Sequence, residues 1–309
     1  MRENDARGAR VVIGVCTADR PAMLTSLLAA VAGQRALDRP DLSASVLVVD
    51  NSPAGSGLDA AHAFADRAPL PVEVRHVPER GLSRARNAVL DAADGDLLAF
   101  IDDDEIPEPW WLGALLDSHR ATSAPIITGP VIPRYGPAAP GWLVQGRFLE
   151  LAEFPDGARL REAISGNALL DLGRIREAGL HFDPRYDRTG GEDQLFFRQA
   201  AARGLEIRYA AGATVHETVP ESRTTFRFLL KRELRKGNTL GLLARHHREL
   251  GESPAYRALA AAKWGIMGIL LLVSGSVRGS RVHLADGVLR GTRAVGMMGG
   301  LVGWRYPAY

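Results

Sequence analysis

The chain carries one cysteine, Cys16, in 309 residues. An intrachain disulfide is therefore excluded, and a reducing compartment is the expected setting. A surplus of one charge is also lacking. Lys plus Arg number 38 against 36 Asp plus Glu, a net charge of +2, so overall charge names no partner. Aromatic residues make up only 6%. No stacking aromatics accompany the basic segments and no recognition motif is present, so no nucleic-acid partner is expected. The opening MRENDARGAR has no apolar core and does not read as a secretory signal. Residues 1–9 read as a disordered lead-in. Internal repeats and long low-complexity tracts are absent, as is any unbroken run of the roughly 20 apolar residues that a bilayer requires. What is present is ordinary for a globular chain: 46% apolar and 24% charged residues, enough for one large α/β domain or a domain plus an appendage.

The first half alternates strand and helix signals. VVIGVC (11–16) is a continuous β-branched run, as in a strand buried on both faces. Pro21 then suits a first helical turn, and Leu24, Leu27, Leu28 and Val31 recur at helical spacing. SVLVVDN (45–51), VEVRHV (72–77), LLAFI (97–101) and PIITGPV (125–131) predict further strands. GLSRARNAVLDAADG (81–95) and PEPWWLGALLDSHR (107–120) predict helices between them. Strands joined by helices imply an α/β fold with a Rossmann-like, mostly parallel sheet, whose ligands gather at the C-terminal strand ends. Thr17, Asp50 and Asp102 fall at such ends.

The stretch FIDDDE (100–105) puts four acids directly after an apolar strand. A solvated turn is one reading; a cation site is the other. In an extended segment residues two apart share a face, so Asp102 and Asp104 are expected on one side and Asp103 on another. Paired carboxylates suit a hard divalent cation, Mg²⁺ or Mn²⁺. A second acidic pair, Glu192 and Asp193, follows Gly190 and Gly191 and opens the helix QLFFRQAAARG. The glycines permit tight backbone near a ligand. Acids in a first helical turn are also favoured by the macrodipole alone.

Six segments in order, VCTADRP, VVDNS, ERGLSRARNAVL, LLAFIDDDEIPEPWWL, ISGNALL and GGEDQLFFR, resemble the family 2 glycosyltransferases. That family has the GT-A nucleotide-diphospho-sugar transferase fold, and the likeness is nearest to bacterial enzymes of surface-glycan and exopolysaccharide assembly. The resemblance implies inverting, metal-dependent transfer of one sugar from a nucleotide-diphosphate sugar, a UDP-sugar, to a hydroxyl acceptor. It places Asp102 on the ribose or sugar side, Asp104 on the metal, and Asp193 as the base that deprotonates the acceptor, with Glu192 beside it binding or orienting the acceptor. An Asp of ordinary pKa is a weak base, so positioning would have to carry that role. Asp103 and Glu105 read as neighbours of the site or as solvated acids. Thr17, Arg20, Asp50, Asn51, Gly81 and Arg86 are the donor-side candidates, and Gly166 and Asn167 are placed beneath the donor sugar. For Asp50 a turn or helix cap is the alternative. For His216 a metal or diphosphate contact competes with an ordinary structural histidine. Arg84 reads as a solvated helix face. The Gln-x-x-Arg-Trp motif of processive synthases is absent, which points to a single addition.

These signals predict a catalytic domain over 10–220, divided into a donor half (10–130) and an acceptor half (131–220). Beyond it, 221–309 read as a basic, amphipathic helical region. From Arg223 to Arg248 eight Lys or Arg stand against one acid. Arg227, Lys231 and Arg235 form one stripe, and Phe226, Leu229, Leu230 and Leu234 another. WGIMGILLLVSGSV adds some fourteen apolar residues, with Lys263 just before it. The expectation is a protein of the cytoplasm, peripheral at the inner face of the cell membrane and acting on a lipid-linked saccharide. The alternatives are a packed helical subdomain or a homodimer contact, a soluble small-molecule acceptor, or, for the whole chain, a nucleotidyltransferase acting on a sugar phosphate. A binding protein without catalysis ranks below these because both acidic sets are present.

Overall fold

A computed structural model describes residues 8–187, 189–250 and 253–307; most of the expected lead-in lies outside them. The strands are β1 (Ala9–Thr17), β2 (Leu42–Asp50), β3 (Val72–His76), β4 (Leu97–Asp102), β5 (Glu105–Pro107), β6 (Ile126–Thr128), β7 (Val131–Tyr135), β8 (Arg159–Leu160), β9 (Asn167–Asp171), β10 (Ile207–Tyr209) and β11 (Val215–Val219). The helices are α1 (Pro21–Ala32), α2 (Leu58–Ala65), α3 (Leu82–Ala92), α4 (Trp111–Thr122), α5 (Gly141–Gln145), α6 (Leu172–Glu177), α7 (Glu192–Ala202), α8 (Phe226–His246), α9 (Pro254–Arg278) and α10 (Arg281–Leu301).

The chain divides into two compact units. The first holds the described residues up to Ile132, Leu151–Asp187 and Glu192–Thr218; the second holds Pro133–Glu150, the loop ending at Gly191, and the chain from Val219 onward. The expected acceptor half is not one piece, because Pro133–Glu150 and the two glycines pack with the C-terminal helices.

The first unit is built on an eight-stranded sheet in the order β3-β2-β1-β4-β9-β6-β10-β8. The strands β3, β2, β1 and β4 run parallel, with Thr17 opposite Asp50 and Cys16 opposite Asp102. Their apolar runs are continuous because both faces are buried. Val11, Ile13, Val15, Ala99 and Ile101 face one core with α1 and α4. Val12, Leu98 and Phe100 face the other, with α3 and α7. Two features differ from the sequence-based expectation. β9, from ISGNALL, enters the centre antiparallel to both β4 and β6, so the sheet is mixed. PIITGPV is not one strand: Pro130 has no N–H for a ladder, and the chain breaks there into β6 and β7. A separate three-stranded sheet, in the order β5-β11-β7, sets His216 opposite Ile106 on the antiparallel β5.

The second unit is helical. Side-chain caps start its long helices: Thr225 accepts from Phe228 N–H, Ser253 from Tyr256 and Ser280 from His283, each satisfying an otherwise unpaired donor. Trp142, Phe148 and Phe226 cluster with ring centroids 5.8 and 5.9 Å apart. α8 and α10 meet through Gly237, Gly241, Gly296 and Gly300, where any Cβ would collide with the facing backbone. α9 runs unbroken for 25 residues and is long and apolar enough to cross a membrane by length and composition. ALAAAK and the apolar run after it belong to this one helix, which Lys263 does not interrupt. Leu259, Ile266, Ile269, Val273 and Val277 are exposed along it. An apolar groove of about 710 Å³ lies between α9, α10 and Trp304.

Candidate active site

The acids after β4 do not continue as a strand. Asp103 and Asp104 form a turn before β5, so the alternation expected of an extended segment fails. Asp103 and Asp104 instead share one cation: Arg20 Nη1 donates to Asp103 Oδ1 and to Asp104 Oδ2, both at 2.9 Å. Thr17 Oγ1 donates to Asp103 Oδ2 at 2.8 Å. Burial pushes Asp103 up to about 6, against the opposing pull of Arg20 and Thr17.

Asp102 turns the other way. Its Oδ1 lies 3.4 Å from Arg86 Nη2, and its backbone N–H donates to Glu105 Oε2 at 3.2 Å. Gly166 closes this corner, where a Cβ would stand 2.7 Å from Glu105 Oε1 and 2.9 Å from Asp102 Oδ2. Glu105 is buried, and burial together with the charges of Asp102 and Asp104 raises its carboxyl well above the usual range.

Arg86, on α3, joins this corner to the second acidic pair. It is buried, and its Nη1 lies 2.5 Å from Glu192 Oε1 in the first turn of α7. Its guanidinium also sits over the Phe182 ring, 5.8 Å from the centroid. Burial opposes its charge, but Asp102 and Glu192 outweigh that and hold it protonated. Glu192 Oε2 is buried with no hydrogen-bond partner. Beside it Asp193 is pushed up to about 7, first by burial and then by the Glu192 charge. The sequence suggested an ordinary carboxylate here; the structure supplies one poised near neutral pH. Gly190 and Gly191, at φ +73° and +96°, adopt the left-handed backbone before this turn that glycine allows.

Several of the expected donor-side residues brace the surrounding backbone. Asp50 is fully buried and accepts from Ser52 N–H at 2.8 Å and Gly57 N–H at 2.6 Å, so it shapes the loop into α2, as the turn-cap alternative had it. Asn51 donates to the carbonyls of Val77 and Glu79 and accepts from Gly81 N–H, which fixes the approach to α3. Asn167 is fully buried; it accepts from Trp111 Nε1 and donates to the carbonyls of Pro130 and Ala213. It braces β9 and has no face toward a sugar. Gly81 makes room for Asp187, whose Oδ1 accepts from Ser83 N–H at 2.7 Å. Nothing local in the sequence marked Asp187. Arg84 is half-exposed beside Glu79 and Asp187, as a solvated face predicts, and Arg80 pairs with Asp19. Cys16 lies close enough to Asp102 and Arg86 to feel both, yet burial pushes its thiol up to about 12, so it is no nucleophile.

The site fits a hard divalent cation through carboxylate oxygens. Among the described residues no three His, Cys, Asp or Glu side chains converge in a ligating cluster. The protein would therefore supply part of a coordination shell, with the remainder left to phosphate oxygens and water. His216 does not complete it: its Nε2 lies 2.7 Å from Glu108 Oε1, which favours the structural reading of that histidine.

Residues 12–171 match the sequence profile described as Glycosyl transferase family 2. The chain is 35% identical over 292 residues to the succinoglycan biosynthesis protein ExoM of Rhizobium meliloti (strain 1021), covering 94% of this chain and 92% of that one. Among solved structures it resembles the mannosyltransferase PcManGT from Pyrobaculum calidifontis in complex with GDP-Man and Mn²⁺. The TM-score is 0.66 at 16% identity, over 96% of this chain and 88% of that one. It also resembles S. aureus TarS in complex with UDP, with a TM-score of 0.53 at 17% identity over 94% and 90% of the two chains. At these identities the structural likeness shows a shared GT-A fold.

Proposed function

Since the chain belongs to glycosyltransferase family 2 and is a glycosyltransferase, we propose that it moves one sugar from a nucleotide-diphosphate donor, a UDP-sugar, to a hydroxyl of a growing exopolysaccharide unit, with inversion. The observation that carries this is Arg86. One buried guanidinium touches Asp102 at the strand end and Glu192 at the start of α7, so the two acidic sets form one site. Asp193, raised to about 7, accepts the acceptor hydroxyl proton as that oxygen attacks the anomeric carbon. The diphosphate leaves from the opposite face, which inverts the configuration. A base near the working pH serves this transfer well. Glu192, held by Arg86, orients the acceptor. Asp102 and Gly166 border the donor sugar, and Thr17 holds Asp103 in place. Asp104 with Asp102 would hold Mn²⁺ or Mg²⁺, which when bound offsets charge on the departing diphosphate. Asp50, Asn51 and Asn167 shape the pocket walls from behind.

The helical unit supports a membrane-side acceptor. α9 exposes an apolar face, and the exposed Arg227 and Lys231 of α8 offer charge to anionic lipid, at roughly 1 kcal/mol per residue near such a surface. We read the protein as cytoplasmic and held at the inner membrane face, where a lipid-linked saccharide is within reach. The test is transfer from a panel of nucleotide sugars onto lipid extracts, with anomeric configuration read by NMR. Product with the donor's own configuration, or equal turnover by Asp193→Asn, would refute the assignment.

A further inference from the structure

Arg20 has a role beyond donor contact. A single nitrogen, Nη1, sits 2.9 Å from one oxygen of each of two consecutive acids, Asp103 and Asp104. Both acids are largely buried, while the arginine is 37% exposed at its side chain. Thr17 anchors the far oxygen of Asp103. A cation held against Asp104 Oδ2 occupies an oxygen that the proposed metal would need. We propose that Arg20 is a positioning residue that stands in for the divalent cation until the donor arrives. The inference rests on Asp104 as a metal-holding residue.

The geometry makes an exchange feasible. Arg20 approaches from the loop between β1 and α1, where Asp19 takes a left-handed φ of +59° and its backbone N–H donates to Ser56 Oγ at 3.1 Å. The loop is thus pinned beside the arginine while the guanidinium end reaches solvent. Asp103 keeps its bond from Thr17 if Arg20 departs. The released guanidinium presents a planar fork of donors suited to phosphate oxygens. Metal alone must displace a charge-assisted contact with nothing to receive the arginine. Metal arriving with a diphosphate supplies that receiver. Binding of cation and nucleotide is therefore cooperative, and Arg20 carries the coupling.

The test is Mn²⁺ binding to the full chain, read by loss of the aqueous Mn²⁺ paramagnetic resonance signal, with and without UDP. Wild type should bind Mn²⁺ weakly alone and more tightly with UDP. Arg20→Met should bind Mn²⁺ alone about tenfold more tightly, since a charge-assisted hydrogen bond has been removed from the competition. Its gain on adding UDP should shrink by a similar factor. Arg20→Lys, which keeps the charge without the fork, should retain weak Mn²⁺ binding and recover only part of the UDP effect. Unfolding midpoints check that each variant folds. Unchanged or weaker Mn²⁺ binding by Arg20→Met overturns the inference. Asp104→Asn in the Arg20→Met background separates the two readings. If Mn²⁺ binding survives it, Asp104 is not the metal residue and the stand-in inference falls with it. If Asp104→Asn abolishes binding while Arg20→Met gains nothing, only the stand-in role is refuted.

Discussion

Replacing Asp193 by Asn should make the protein more stable while removing its activity. The carboxyl rises from an ordinary 3.8 to about 7 in the fold, through burial and the nearby Glu192. A folded pKa above the unfolded one means that the fold prefers the protonated acid. The stability this contributes is complete below pH 4 and is lost as pH climbs through 7. That interval corresponds to at most ~4 kcal/mol. Glu192 shares part of the proton, so about 1–3 kcal/mol should belong to Asp193 itself. At pH 8 the wild type bears this full cost and the Asn variant bears none, because its amide has no charge to desolvate. For a domain of this size 1 kcal/mol moves the melting temperature by about 2–4 °C, so the variant should melt about 2–12 °C higher at pH 8. At pH 4 the two should coincide. Calorimetric melts across pH 4–8 read this without substrate. A variant no more stable than wild type at pH 8, or equally stabilised at both ends, would show that Asp193 is an ordinary exposed carboxylate.

The same titration should appear in catalysis: kcat/KM should fall about tenfold per pH unit below an apparent pKa near 7, and Glu192→Gln should shift that limb to lower pH in whatever activity it retains. Asp104→Ala should abolish transfer at an unchanged melting temperature, and excess EDTA should do the same to wild type; full activity in EDTA would end the metal assignment. Asn167→Ala should cost about 2–4 kcal/mol in a denaturant titration, because it strands Trp111 N–H and two buried carbonyls, whereas a sugar-contacting asparagine would alter KM with stability intact. The full chain should sediment with phosphatidylglycerol vesicles, less so in high salt, and charge-neutral substitutions at Arg227 and Lys231 should weaken it; indifference to such vesicles would remove the support for a lipid-linked acceptor.

The parallel half of the sheet was legible because its strands are buried on both faces and write uninterrupted β-branched runs. Thr17 and Asp102 followed from their place at the ends of those runs. β9 was harder to read: ISGNALL is as apolar as a parallel strand, and direction is set by tertiary pairing with β4 and β6, which no local pattern encodes. The acids misled in a different way. Alternation in DDD holds only for extended chain, and the turn at Asp103 and Asp104 brings neighbours to the same cation. Asp50, Asn51 and Asn167 were assigned to ligand because polar residues at strand ends look alike in sequence. Bonds to backbone far along the chain, as Asn51 makes with Val77, Glu79 and Gly81, are written in no local pattern. Raised carboxyl pKa values at Glu105 and Asp193 were likewise invisible, since they arise from burial among other acids.

The helical unit follows a logic of its own. α8 and α10 contact each other through glycines whose backbones come into close approach, and an ion pair between Arg293 and Glu233 joins the same two helices. Close packing through small residues is how helices associate when burying apolar side chains between them brings no advantage, as within lipid. The apolar side chains of α9 point outward as a row from Leu259 to Val277, a face that water would penalise at about 25 cal/mol per Å². Polar anchors bracket that row: Lys263 lies near its start, and Arg278 and Arg281 follow its end. Arg290 and Arg293 stack on Trp264 at 5.1 and 4.4 Å, an aromatic and cationic pairing suited to the headgroup layer. An apolar helix face, cationic ends and glycine seams are each explicable alone in a soluble bundle. Together they are why the vesicle experiment bears on the acceptor as well as on location.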